Sequence, residues 1–262
     1  MRAPTLMYHD VVPEQGGRGG FDGQGPDVYA VTTDEFSRHL EAIGTAVGGA
    51  PARAADLLAP AALPQPWLIT LDDGGASAVP AGAELARRGW AGHFFIVTDL
   101  VGTPGFVTWD DVRTLAAQGH VIGSHTCTHP NRISACPPAQ IADEWSRSVE
   151  RITAETGADT ISASVPGGYY SPEVGQAAAR AGICVLFTSQ PVPTVKTADG
   201  LLLVGRYAVR HSTTAPEAAS AAAGNTLPWT RQRAAWAARE TVKRATGRHY
   251  RRIRSAVLER RR

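Results

Sequence analysis

The sequence predicts an α/β fold: a distorted, incomplete (β/α)7 barrel followed by a basic helical tail. Three observations predict it. Short apolar runs alternate with amphipathic stretches along most of the 262 residues, and strands alternating with helices build a parallel sheet. Two motifs rich in ionisable groups each stand just past the carboxyl end of such a run, which is where barrels of parallel strands build their chemistry. They are Thr70-Leu71-Asp72-Asp73-Gly74 and Ser124-His125-Thr126-Cys127-Thr128-His129-Pro130. Finally, the length suits one domain of this type, which commonly runs to about 200–250 residues.

The elements are expected in the following order. A first strand covers 5–9. Residues 12 to 30 are rich in Gly, Pro and Asp and lack periodicity, so they form a long loop hanging over the catalytic face of the barrel. A helix over 33–43 leads through an Ala/Pro connector near 59–66 to a buried strand over 67–71. Then come a helix over 79–88, a strand over 93–97 and a helix over 109–118. Thr108 caps that helix, with Asp111 completing a capping box. A strand over 121–124, a helix over 138–156, a strand over 160–165 and a helix over 171–181 follow. Strands over 184–188 and 201–207 complete the set of seven. Gly89, Gly119, Gly157 and Gly182 mark helix ends. The division is a barrel over 1–223 and a tail over 224–262.

Composition narrows the class. Hydrophobic residues make up 43% of the chain, enough for a sizeable core, and no run approaches the roughly 18 apolar residues of a membrane span. Nothing near Met1 reads as a signal peptide. Cys127, Cys136 and Cys184 are odd in number and irregularly spaced, against a disulfide framework. The expected location is therefore the cytoplasm. The net charge of +2 hides an asymmetry: residues 229–262 hold 12 Lys/Arg and 2 Asp/Glu, leaving 14 against 22 in the body. Tyr250, Ile253 and Val257 have helical spacing among the arginines. The tail can lie peripherally on an anionic membrane at its inner face, or pack on the acidic body. It carries no nucleic-acid module, so no nucleic acid is expected as partner.

Asp and two His make a set of O and N donors suited to one borderline divalent ion such as Zn²⁺, and the neighbouring Asp is left for proton transfer. Each half alone has a bland reading. Asp-Asp-Gly also makes hairpin turns, and His-x3-His also occurs as surface histidines or structural ligands. Their equivalent positions in separate strand–helix units favour the chemical reading.

With Met7-Tyr8-His9-Asp10-Val11 and Val165-Pro166-Gly167-Gly168-Tyr169, these motifs resemble the polysaccharide deacetylase family with the NodB-homology domain. The resemblance runs from about Leu6 to His211 and is strongest to the branch acting on poly-N-acetylglucosamine. It implies metal-dependent hydrolysis of the N-acetyl group of an amino sugar, in a polysaccharide of the cell envelope or its precursor. Zn²⁺ is the implied metal, with Ni²⁺ or Co²⁺ compatible. Asp73, His125 and His129 map to the metal ligands, Asp72 to the general base and the Gly167 amide to an oxyanion donor. His211, in Ala208-Val209-Arg210-His211, maps to the general acid, although the leucine of the family pattern is missing. His9 is its rival for a role at the site. Tyr169 and Tyr170 are candidates to stack on a sugar ring, whereas His39, His93 and His120 read as structural or surface residues. One departure stands out: Ser164 occupies the place, two residues before Pro166, where the wider family has the Arg that orients the base. Two other readings remain open. One is a deformylase or deacetylase of a lipid-linked or natural-product amino sugar, and the other is a catalytically degraded carbohydrate-binding domain.

Overall fold

Strand β1 (Thr5–Tyr8) pairs in parallel with β4 (Leu68–Leu71), in the register Leu6 to Ile69 and Tyr8 to Leu71. The computed structural model describes residues 1–14, 20–21, 28–59 and 65–246, with side chains as far as 238. From β4 the parallel sheet continues through β5 (His93–Ile96), β6 (Val121–Ser124), β7 (Ser162–Ser164), β8 (Val185–Phe187) and β10 (Leu201–Val204). At the far edge β9 (Val195–Ala198) joins β10 antiparallel, and at the other edge β11 (Tyr207–Ala208) joins β1 in parallel.

This strand order forces the sheet to curl. Strands β10 and β11 are separated by Gly205 and Arg206 alone, which span at most about 11 Å. In the sheet, however, six strands lie between them, and a flat sheet would set them about 34 Å apart. The two edges must therefore approach each other, and the sheet becomes an incomplete barrel. The single strand expected over 201–207 is accordingly two strands serving opposite edges. The break has a steric cause: a Cβ on Gly205 would lie 2.4 Å from the Val192 carbonyl oxygen and 2.7 Å from that of Gln190.

Alternation along the strands sorts side chains into two layers. Leu6, Tyr8, Ile69, Leu71, Phe94 and Ile96 point outward into one core. There they meet Phe36, Leu40 and Ile43 of α1 (Thr33–Val47), Leu85 of α2 (Ala78–Arg87), and Val112 and Leu115 of α3 (Trp109–Ala117). Helices α4 (Pro138–Thr156) and α5 (Pro172–Arg180) cover β7 and β8 through Trp145, Val174 and Ala178. Leu68, Phe95, Val185, Phe187 and Val204 form a second set that fills the interior, closed from below by Ala54 and Leu57 of a short 3₁₀ turn, Ala54–Leu58. Thr108 and Asp111 form the expected capping box of α3.

Beyond the split at 201–207 and the added edge strand β9, two further regions differ from the sequence expectation. The long loop begins and ends in strands: β2 (Asp10–Val12) and β3 (Ala30–Thr32) pair in parallel as a separate two-stranded sheet. Residues 15–19 and 22–27 between them lie outside the described residues. Beyond α6 (Ala215–Ala222), helix α7 (Thr226–Thr246) opens the basic segment, and its first turns belong to the barrel. Trp229 is buried and donates to the Ala221 carbonyl, while the Gln232 amide bonds both N–H and C=O of Ala208 at 2.8 Å. The side chain thus stands in for the missing neighbour of edge strand β11. Tyr250, Ile253 and Val257 lie outside the described residues.

Candidate metal centre

Thr70 and Asp72 point into the barrel because Ile69 and Leu71 are committed to the outer core. Asp72 sits at the end of β4, its N–H still bonded to the Tyr8 carbonyl. Asp73 and Gly74 then take left-handed conformations, with φ of 75° and 69°, turning the chain sharply across the top of the barrel. Gly74 lies against Ile96, whose Cα would be 3.4 Å from an added Cβ. The turn brings the Asp73 carboxylate over the end of β6.

At that end, His125 donates from Nδ1 to the Ser164 carbonyl at 2.8 Å. A carbonyl can only accept, so Nδ1 carries the proton of that bond and Nε2 is the ring nitrogen that faces Asp73. His125 Nε2 lies 3.3 Å and His129 Nε2 3.6 Å from Asp73 Oδ1, and the three donor atoms lie within 4.8 Å of one another. A tetrahedral ion with bonds of about 2.05 Å sets its ligands about 3.4 Å apart. Spacing and donor chemistry therefore both fit a Zn²⁺-like ion.

The loop bearing the two histidines is held by a residue not singled out from sequence. Glu144 of α4 is buried; its carboxylate accepts from the N–H groups of Cys127 and Thr128 at 2.9 Å and from the Thr128 hydroxyl at 2.5 Å. Ser124 and Thr126 hydroxyls accept from the amides of Thr126 and His129 at 3.1 Å. The buried carboxylate thus uses its lone pairs to shape the loop.

A second such residue is Arg206. It is fully buried, lying between the Phe95 and Phe187 rings. Its NH1 and NH2 grip the two Asp72 oxygens at 2.7 and 2.8 Å, and NH2 also donates to Ser164 Oγ at 2.8 Å. NH1 further reaches Thr70 Oγ1, and Nε donates to the Thr188 carbonyl. Ser164 in turn donates to Asp72 Oδ2 at 3.0 Å.

These contacts set the electrostatics. Burial by itself raises the Asp72 carboxyl, but Arg206 and His125 outweigh it and hold it well below the usual carboxylate range. Burial raises Asp73 too, yet the His125 hydrogen bond and the nearby His9 bring it down. His125 is depressed by burial and lifted more strongly by Asp72 and Asp73, ending above its ordinary value. His129 is pushed down to about 4 by burial and by His125.

The remaining sequence candidates divide. His9 lies at the site: its charge bears on Asp72 and Asp73, its ring packs tilted against Tyr29 with centroids 4.7 Å apart, and its buried Nδ1 has no hydrogen-bond partner among the described residues. His211 does not join this group. Its side chain is 65% exposed, with Nδ1 3.9 Å from Glu35, because the chain leaves β11 and turns outward before reaching it. Gly167 sits in the turn Pro166–Gly168 with φ 60°; the turn's own bonds use the Gly168 and Tyr169 amides, leaving the Gly167 N–H unspent by the turn. Tyr169 packs beside Gly167 under the Arg132 guanidinium. Tyr170 is held elsewhere, donating its hydroxyl to Asp199 and packing on α5. Among the described residues, an aromatic ring that packs on His129 is Phe21, with centroids 4.7 Å from the His129 ring and 5.3 Å from Phe106. No periodic signal marks Phe21 in its glycine-rich surroundings. His39, His93 and His120 each bond backbone groups within the core.

Residues 61–186 match the family model for polysaccharide deacetylase, a span that contains Asp72, Asp73, His125, His129 and Gly167. Among solved structures, the chain is similar to IcaB from Ammonifex degensii at 25% identity and TM-score 0.68, covering 84% of this chain and 97% of that one. It is similar in fold to the Streptococcus pyogenes deacetylase PplD in complex with acetate, at 19% identity and TM-score 0.71, over 82% of this chain and 95% of that one. The polysaccharide deacetylase BC0361 from Bacillus cereus shares the fold at 20% identity and TM-score 0.73, over 84% and 69% of the two chains. A gellan lyase from a Bacillus species is 33% identical over 101 residues, which make up 38% of this chain and 4% of that protein. The match thus spans a small fraction of the lyase.

Proposed function

From the polysaccharide deacetylase domain over residues 61–186, we propose that the chain is a metal-dependent hydrolase that removes the N-acetyl group from an amino sugar. The sugar belongs to a cell-envelope polysaccharide or its precursor. The observation that carries this reading is the convergence of Asp73, His125 and His129 beside an Asp72 whose carboxylate is clamped and ionised. A divalent ion held by those three residues supplies Lewis acidity, polarising an acyl carbonyl and making a water easier to deprotonate.

The chain's own groups do the rest. Arg206 and Ser164 together occupy both lone-pair directions of Asp72 Oδ2, whereas Oδ1 receives one described bond. The remaining lone pair of Oδ1 takes the proton of the attacking water. The Gly167 N–H donates to the developing oxyanion. His9 delivers a proton to the departing amine, a task suited to imidazole, and replaces His211 in that role because it stands at the site. Phe21, Phe106 and Tyr169 supply apolar faces for the sugar.

The reading of a degraded sugar-binding domain rested on Ser164, and the Arg206 clamp speaks against it. The test is to load the protein with Zn²⁺ and present acetylated and formylated amino sugars, free and lipid-linked. Acetate released from an N-acetylated sugar, and lost in Asp73→Ala, is the expected result. A fully metal-loaded protein that frees no acid from any of them overturns the proposal, and formate alone would move it to the deformylase reading.

A further inference from the structure

We propose that Arg206 is the positioning residue for Asp72, performing from the β10–β11 junction the task for which position 164 holds no guanidinium, and that Ser164 serves as its partner. The inference rests on the deacetylase reading of the site. The geometry is that of a made-to-measure cradle. An arginine has five N–H donors in a rigid fork. Here those donors meet Thr188 O at 3.1 Å, Thr70 Oγ1 at 3.0 Å, Asp72 Oδ1 at 2.7 Å, Asp72 Oδ2 at 2.8 Å and Ser164 Oγ at 2.8 Å. The whole fork is spent, and the two-point grip fixes the plane of the Asp72 carboxylate.

The origin of the guanidinium makes this more than a buried ion pair. Ser164 ends β7, Thr188 follows β8, and Thr70 and Asp72 belong to the end of β4, so the fork ties three parts of the barrel interior together. Its own backbone is pinned by the Arg206 N–H to the Gln190 carbonyl at 2.9 Å and by Gly205 pressed on Val192. A serine at 164 leaves the space that an arginine entering from the opposite side needs. Its hydroxyl accepts from Arg206 and donates to Asp72, so the small residue completes the network.

A structural plug and a positioning residue are separated by relocation. Arg206→Lys, Arg206→Ser and the double variant Ser164→Arg/Arg206→Ser are compared with wild type in the metal-loaded state, recording metal content, thermal midpoint, kcat and KM. Lysine keeps the charge but loses the fork, so Arg206→Lys should retain metal while kcat falls about 10- to 100-fold, with KM changed less than about 3-fold. The double variant should recover at least about 10-fold in kcat over Arg206→Ser. Should Arg206→Ser fail to fold, Arg206→Lys alone decides. A folded, metal-loaded Arg206→Lys with wild-type kcat, or a loss confined to KM, overturns the proposal. So does a folded double variant no better than Arg206→Ser. A wild type that releases no acid counts against the deacetylase reading and removes the role with it, whereas an active wild type indifferent to position 206 counts against Arg206 alone.

Discussion

Asp73, Thr126 and His129 share an unusual backbone conformation, with φ of 75°, 68° and 54°. Side chains rarely adopt this region, and each such residue costs on the order of 1 kcal/mol that the surroundings must offset. Two of the three are proposed ligands, and the third lies between them in sequence. Asp73→Ala or His125→Ala should therefore lose metal together with activity; stoichiometric metal in either purified variant would contradict the ligand assignment. Asp72→Asn should keep the metal yet lose about 100-fold or more in kcat, and near-normal turnover would move the base elsewhere. His9 and His211 make an internal control. Replacing His9 by Gln should reduce kcat by about 100-fold, while the same change at the exposed His211 should alter it less than about twofold. The opposite ranking in steady-state kinetics would restore His211 as the acid.

At the scale of elements, the histidine loop depends on α4 more than on its own sequence. Glu144 satisfies two backbone amides and one hydroxyl, and partners that orient metal ligands are typically worth 10- to 100-fold in affinity. Glu144→Gln keeps the shape but turns half of the acceptor group into a donor. It should weaken Zn²⁺ binding by about that factor in a competition titration, and an unchanged dissociation constant would reduce Glu144 to helix packing. The β10–β11 break makes a similar point. Gly205→Ala would drive a methyl into Val192 O and Gln190 O, so the thermal midpoint should fall by several degrees. A variant as stable as wild type would mean that the junction relaxes freely.

For the whole molecule, acid sensitivity has an identifiable source in the barrel floor. His93 is fully buried and neutral: Nδ1 donates to Ile69 O and Nε2 accepts from the Ala54 N–H. Burial pushes its imidazole from 6.5 down to about 4. Between those values the unfolded chain takes up a proton that the folded chain refuses. Stability should therefore be complete above about pH 6.5 and decline as pH falls toward 4, by up to about 3 kcal/mol from this group. Denaturant titrations at pH 7, 5.5 and 4.5 would show it, and a His93→Gln variant with an equally steep decline would assign the loss to other groups. The basic segment divides at the same scale. Trp229 packs on the core and Gln232 pairs with edge strand β11, so removal from residue 229 should destabilise the fold, whereas removal of 247–262 should leave it intact. Salt-sensitive binding to anionic vesicles, lost in the shorter truncation, would support the membrane role proposed for the tail; binding that survives the truncation would end it.

Much of the architecture was legible in the chain, because alternating strands and helices, glycine stops and the Thr108 capping box are local signals. So were the three donors of the proposed metal site, each following a strand end at short range. Arg206 and Glu144 were not legible. The first lies 134 residues from Asp72 and the second 17 from Cys127, so the partners that give each its role meet it only in the folded chain. Which strands meet at the barrel's edges, and that Gly205-Arg206 splits one apolar run between them, follow from sheet closure. The choice of His9 over His211 has the same origin: both follow apolar strands, and only the packing of β1 beside β4 carries one imidazole to the carboxylates while the chain after β11 turns the other outward. Local chemistry determined which groups could react; closure of the curled sheet decided which of them face one another.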